Sequence, residues 1–153
     1  SHAALILETI EAVVTAFVRD QNHWLFKLSP NEWIRAGLEE IHRAERAYQA
    51  NNARGGLAGA KRAAGMALNG VLIVEPNPMW GRTYVEHLTA LSGGDAVPDR
   101  VAAACRALLE TSQPGQTKLV TLRTSSAEHR VLEAARDVIA HAYAIVKRRE
   151  GVS

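Results

Sequence analysis

The sequence predicts an all-α protein, an antiparallel bundle of about five to six helices joined by short connections. Apolar residues recur at the i, i+3, i+4 spacing of a helix in nearly every long segment. Helix start signals such as Ser-Pro and stop signals such as Gly-Gly separate these segments, and the long segment 112–124 has no helical period. The 153 residues are 47% hydrophobic and 22% charged, which is typical of one globular domain and excludes a disordered chain.

The sequence divides into a short first part and a longer second part. Residues 3–20 have one broad apolar face, which predicts a helix, and residues 21–28 then break the pattern. We therefore predict an extra N-terminal helix within 1–28 and a helical bundle domain over 29–153.

The clearest helix start in the sequence is at Ser29. This residue is a suitable N-cap, Pro30 takes the first helical position, and Glu32 completes a capping box. These signals predict a helix from about Pro30 to about Ala50. Its predicted inner stripe comprises Ile34, Leu38, Ile41, Ala44 and Tyr48.

Small residues dominate the third predicted helix. It follows a turn cluster at 51–56, runs from about Leu57 to about Glu75, and stops before Pro76. Gly65 and Gly70 should each cost up to ~1 kcal/mol of stability relative to Ala. Close approach of a neighbouring helix is the expected compensation.

Three further helices complete the predicted bundle. A short one spans about Gly81 to Leu91, and Pro98 opens the next, which reaches about Thr111. Segment 112–124 is predicted to be a long loop or a short extended stretch. Ser125 or Ser126 then caps a final helix that reaches about Arg149.

Charge and cysteine content favour no particular ligand. The net charge of +2 is too small to predict nucleic-acid binding. Cys105 is the only cysteine and lies on a helical apolar stripe, so we expect a core residue and a reducing, cytoplasmic location. No apolar run approaches the ~18–20 residues of a membrane helix, so we expect no membrane association.

Motifs for most cofactor chemistry do not occur in the sequence. It contains no phosphate-binding GxxxxGK[ST] loop, no HExxH, no CxxC and no EF-hand loop. Glu39 and His42 have the spacing of a di-iron bundle motif, but no second copy lies on another long helix. We therefore expect no metal and no cofactor.

The final helix carries the one constellation that points to a function: Arg136, Asp137, His141 and Tyr143. This Arg-Asp-x3-His-x-Tyr pattern resembles the motif of the HEPN superfamily of bacterial all-helical domains, and of its HepT-type toxins in particular. The resemblance covers about residues 29–149. It extends to 33–48, to the Ala-rich segment 58–72, and to the segment 84–88, whose His87-Leu88 is similar to the family's central HxL.

The resemblance implies two alternative functions. In the first, the chain is a metal-independent ribonuclease of a toxin–antitoxin or defence system. Arg136 then holds phosphate, His141 acts as acid and base, and Asp137 and Tyr143 support them. In the second, it is a non-catalytic module that binds a nucleotide or a nucleotidyltransferase-like antitoxin. A third hypothesis is that the chain is a purely structural helical adaptor. The resemblance also implies a homodimer.

The helical wheel constrains the ribonuclease hypothesis. At about 100° per residue, Arg136 and His141 lie about 140° apart, on opposite flanks of the stripe expected to be buried. That stripe comprises Val131, Ala135, Val138, Ala142 and Ile145. The two side chains can therefore meet only across a dimer. An active site further requires that they be unpaired with local acids. The Arg-x(4–6)-His spacing also recurs at Arg82/His87, Arg123/His129 and Arg35/His42.

Overall fold

A computed structural model describes residues 24–94, 96–111 and 121–151, with side chains of the last range described from residue 127. These residues form five α-helices and two short 3-10 helices, with no strand among them. The prediction of an all-α bundle is therefore confirmed. The α-helices are α1 (Pro30–Gln49), α2 (Ala53–Val74), α3 (Tyr84–Ser92), α4 (Asp99–Glu110) and α5 (Thr121–Glu150).

The ends of the helices show the topology. Only residues 50–52 join α1 to α2, so these two helices run antiparallel. The Arg149 Nε donates to Glu75 Oε1 at 2.9 Å, which places the last turn of α5 beside the end of α2. The Asn31 side chain bonds Glu150, so the same end of α5 also meets the start of α1. Thus α5 runs parallel to α2 and antiparallel to α1, and it packs against both.

Side-chain caps fix where the first two helices begin. At α1 the predicted capping box is present, because the Glu32 N–H donates to Ser29 Oγ at 3.2 Å and the Ser29 N–H donates to Glu32 Oε1 at 3.0 Å. Helix α2 begins at Ala53, four residues before the predicted start at Leu57. The cause is Asn52, whose Oδ1 accepts from the Gly55 N–H at 2.9 Å and draws most of the Gly-rich turn cluster into the helix.

Two other predictions about helices were wrong. Leu38 is 45% exposed, and the buried face of α1 instead includes Gly37 and Glu40. Gly37 lies there because α2 approaches so closely that no side chain fits. The second error concerns 121–124, which are helical rather than loop, so α5 starts before the expected caps at Ser125 or Ser126. Apolar periodicity could not reveal this polar first turn.

Glycines on both helices of the α1–α2 pair allow their close approach. A Cβ built on Gly37 would lie 2.8 Å from the Ala63 carbonyl oxygen, and one on Gly70 would lie 2.7 Å from the Pro30 carbonyl oxygen. At Gly65 the neighbour is the Tyr84 side chain of α3, at 2.3 Å. The predicted compensation for helical glycines in α2 is therefore confirmed.

Helix α2 is the centre of the bundle. It contacts α1, α3, α4 and α5, and most of its residues are buried. Within the described ranges it is also the one helix long and apolar enough to cross a membrane, although buried core helices satisfy the same criterion. Cys105 on α4 is fully buried, as predicted, and burial raises the pKa of its thiol to about 12.

The predicted N-terminal helix over 3–20 lies outside the described residues. The following residues form a 3-10 helix, Trp24–Lys27, in which Leu25 is fully buried. The Trp33 indole N–H donates to the Leu25 carbonyl oxygen at 2.7 Å, and its ring meets Trp24 edge to face. This short helix is therefore packed onto the start of α1.

Candidate functional site

The four motif residues all lie on α5, on the two flanks of its buried stripe. The stripe predicted from the helical wheel is buried as expected. Arg136 lies on the flank that faces α1, because its partner is Glu45 of that helix. Asp137 lies on the other flank, where its partner is Arg100 of α4. The predicted separation of Arg136 from His141 is therefore present in the chain.

Arg136 is bound by two carboxylates. Its guanidinium donates to Glu45, and its Nη1 lies 3.7 Å from Glu133 Oε1 one turn earlier on α5. Its side chain is 42% exposed, so solvent screens both pairs. An arginine that holds a substrate phosphate has to present its donors to the phosphate. In this chain those donors face Glu45 and Glu133, contrary to the unpaired arginine that the ribonuclease hypothesis requires.

The two predicted supporting residues also have other partners. Asp137 Oδ1 accepts from the Arg100 Nη2 at 3.0 Å, which ties α5 to α4. Tyr143 is 50% exposed, and the Lys147 ammonium lies 5.6 Å from the centre of its ring. No hydrogen bond or ion pair among the described side chains joins either residue to His141.

His141 instead lines a cleft of about 370 Å³ between α5, the end of α2, the 76–83 connection and the end of α3. We call this the His141 cleft. Arg148 follows His141 two turns later on the same flank, and the connection contributes Asn77 and the partly buried Trp80. Glu75 is a further charged residue of the lining, and the remainder is largely apolar, including Val71, Leu91, Val97 and Ile145. A cleft in which a few polar groups converge beside apolar residues is typical of a ligand site.

The electrostatics of the cleft favour a neutral histidine beside an available cation. Burial and the nearby Arg148 charge lower the pKa of His141 below its ordinary value, and Glu75 opposes them. Glu75 itself is held by Arg149. Arg148 is exposed and has no carboxylate partner among the described side chains. The cleft therefore offers a neutral imidazole for hydrogen bonding and a guanidinium for an anion.

A buried polar network adjoins Trp80, one of the residues that line the cleft. The His87 Nδ1 lies 2.8 Å from the Trp80 carbonyl oxygen, and its Nε2 lies 2.8 Å from Asn69 Oδ1. Both His87 and Asn69 are fully buried. The network fixes the backbone of Trp80, whose side chain lines the cleft. The sequence offered only the spacing of Arg82 to His87 and the HxL likeness, and neither identifies Asn69 as the partner.

Within the described ranges, no group of three or more His, Cys, Asp or Glu side chains is arranged to hold a metal ion. Comparisons with protein families, with curated proteins and with solved structures found no match to this chain. The HEPN resemblance therefore stays a prediction.

Proposed function

We propose that the chain is a non-catalytic binding module for a nucleotide, which occupies the His141 cleft. The observation that carries this proposal is the arrangement of α5. Arg136 is engaged by Glu45 and Glu133 on one flank, while His141 and Arg148 converge on a cleft on the other. Of the functions implied by the HEPN resemblance, nucleotide binding uses the residues that the cleft presents.

The chemistry of the lining fits the three parts of a nucleotide. Arg148 provides a planar cation for a phosphate. The neutral His141 imidazole both donates and accepts hydrogen bonds, which suits a ribose hydroxyl or a base edge. The Trp80 indole offers an aromatic surface for the base. A volume of about 370 Å³ lies within the range of small-molecule sites.

Calorimetric titration with nucleoside monophosphates and the matching nucleosides tests this proposal. We expect Arg148→Ala to weaken monophosphate binding by about tenfold or more, because a charged hydrogen bond is lost, and to change nucleoside binding little. His141→Ala should weaken both. Arg130→Ala is the matched control, because this exposed arginine lies about five turns earlier on the same face of α5. Absence of binding to every nucleotide tested would contradict the proposal.

The alternative function is a ribonuclease whose site is shared by two protomers. It requires Arg136 to leave Glu45 and to meet His141 of a second copy. Incubation of the pure protein with RNA separates the two functions, and the nucleotide-binding module is expected to leave RNA intact. Cleavage that is lost in His141→Ala and kept in His42→Ala, where the histidine is exposed on α1, would favour the ribonuclease. A nucleotidyltransferase-like partner is compatible with either function.

A further inference from the structure

A second concave surface lies on α2, away from the His141 cleft. It is an open groove of about 430 Å³ between the first half of α2 and the start of α3, and we call it the α2–α3 groove. Its α2 residues follow the i, i+3, i+4, i+7, i+8 spacing of a single helix face. These residues are Arg54, Leu57, Ala58, Lys61 and Arg62, and α3 adds Tyr84 and Val85.

The floor of the groove is apolar and is fixed by packing. Leu57 is 3% exposed, whereas Val85 is 53% exposed at the edge of the groove. The Tyr84 ring lies against Gly65 so closely that a Cβ there would be 2.3 Å from it. The Tyr84 side chain is therefore packed against α2 and forms a preformed wall of the groove.

The rim of the groove has an excess of positive charge. Arg62 donates through Nε and Nη2 to Glu40 Oε1, at 2.9 and 2.7 Å. Glu40 is 5% exposed and also accepts from Arg43 Nη1 at 3.3 Å. One buried carboxylate thus pairs with two guanidiniums, which leaves one positive charge in excess. Lys61 adds a further cation on the groove itself, so the local charge is positive.

From this combination we infer that the α2–α3 groove docks an acidic amphipathic helix of a protein partner. The apolar residues of that helix lie on the floor of the groove, and its carboxylates face Lys61 and Arg62. The groove's stripe on α2 runs over nine residues, from Arg54 to Arg62, a rise of roughly 12 Å that matches about two turns of a partner helix. A nucleic acid fits less well, because the Tyr84 ring is packed against Gly65 rather than open for stacking.

Selection from a displayed library of random helical peptides, with the whole chain as target, tests this inference. We expect enriched peptides to combine Asp or Glu with large apolar residues at i, i+4 spacing. Their affinity, measured by fluorescence anisotropy, should fall at least about tenfold in Lys61→Glu, because the reversed charge repels the peptide. Val85→Asp should have a similar effect through both charge and lost apolar contact. Lys147→Glu is the matched control on α5 and should change little.

Other outcomes would overturn the inference. Enriched peptides without acidic residues, or binding that is insensitive to Lys61→Glu and Val85→Asp, would exclude this occupant. A single-stranded RNA probe that binds the wild type and is lost in Lys61→Glu, with no acidic peptide enriched, would assign the groove to nucleic acid. Nucleotide binding in the His141 cleft should be unchanged in Lys61→Glu, so the two proposals fail independently. Circular dichroism of each variant verifies that the bundle is intact.

Discussion

The His87 side chain illustrates how hydrogen-bond chemistry fixes a buried residue. A backbone carbonyl can only accept, so the His87 Nδ1 must donate to the Trp80 oxygen. In a neutral ring the Nε2 then accepts, which requires the Asn69 amide to present its Nδ2 rather than its Oδ1. Among the described residues, that Nδ2 is buried and has no hydrogen-bond partner. If the Asn69 side-chain amide is turned by 180°, its Nδ2 donates a hydrogen bond to the His87 Nε2. This arrangement gives the Asn69 Nδ2 a partner and keeps His87 uncharged.

The first prediction concerns the pH dependence of stability. Burial lowers the pKa of His87 below its ordinary value of 6.5, although the bond to Trp80 and the Glu86 charge oppose this shift. The unfolded chain therefore binds more protons than the folded chain as the pH falls through 6.5. The free energy of unfolding should decrease in that range and stop decreasing, as far as His87 is concerned, below its folded pKa. His141 contributes in the same direction.

Urea denaturation of two variants at several pH values isolates the buried histidine. His87→Gln should lower stability at neutral pH and flatten its dependence on pH between about 5 and 7. His42→Gln removes an exposed imidazole and should leave the profile close to that of the wild type. A profile of unchanged steepness in His87→Gln would show that His87 is not responsible for the loss.

At the scale of elements, the second prediction concerns contact between α1 and α2. Gly37→Ala places a methyl 2.8 Å from the Ala63 carbonyl oxygen, and a backbone atom cannot turn aside as a flexible side chain can. We expect a loss of about 1–3 kcal/mol, typical of overpacking, despite the better helix propensity of Ala. Gly93→Ala meets nothing within 4 Å and is the control. Chemical denaturation should show a clear loss only for Gly37→Ala.

The accuracy of each predicted helix depended on how far apart in sequence the residues lie whose interaction determines its boundary or its buried face. The start of α1 was predicted to the residue, because Ser29, Pro30 and Glu32 act within one turn of each other. Leu38 was misplaced on the buried face, because the closeness of α2 at Gly37 is a property of two helices and not of one stripe. The first turn of α5 was missed for a similar reason, since its residues have no apolar period.

For the candidate site too, the features set within one helix could be predicted, and those set by contacts between helices could not. Helical geometry alone placed Arg136 and His141 on opposite flanks of α5, and the structure agrees. The ion pair with Glu45 was not predictable, because it depends on the register between α5 and an antiparallel helix 91 positions earlier. The His141 cleft depends likewise on where the 76–83 connection lies against α5.

At the scale of the whole molecule, the third prediction is a two-fold homodimer. The face of α5 between Arg136 and His141 is exposed and is flat where Ala140 and Ala144 lie, one turn apart, with Tyr143 beside them. A two-fold axis through this face would pair the two α5 helices. Light scattering at tens of micromolar should therefore show a dimer.

Two matched variants locate the interface. Ala144→Glu should yield a monomer, because it places a carboxylate in the centre of the predicted contact. Ala103→Glu makes the same change at an exposed alanine of α4 and should leave the dimer intact. A wild type that scatters as a monomer would remove the dimer, and with it the shared site that the ribonuclease alternative needs.

The position of α5 along the chain has a consequence for biosynthesis. Helix α2 is long and apolar, yet α5, which packs against one side of it, follows it in the chain after α3 and α4. At ~5–20 residues per second, the ribosome needs roughly 4–15 s to add the residues from Val74 to Glu150. Throughout that interval α2 lacks the contacts by which α5 buries one side of it. A nascent chain arrested at Thr111 should therefore recruit chaperones and aggregate on release, whereas release after Glu150 should yield the closed bundle.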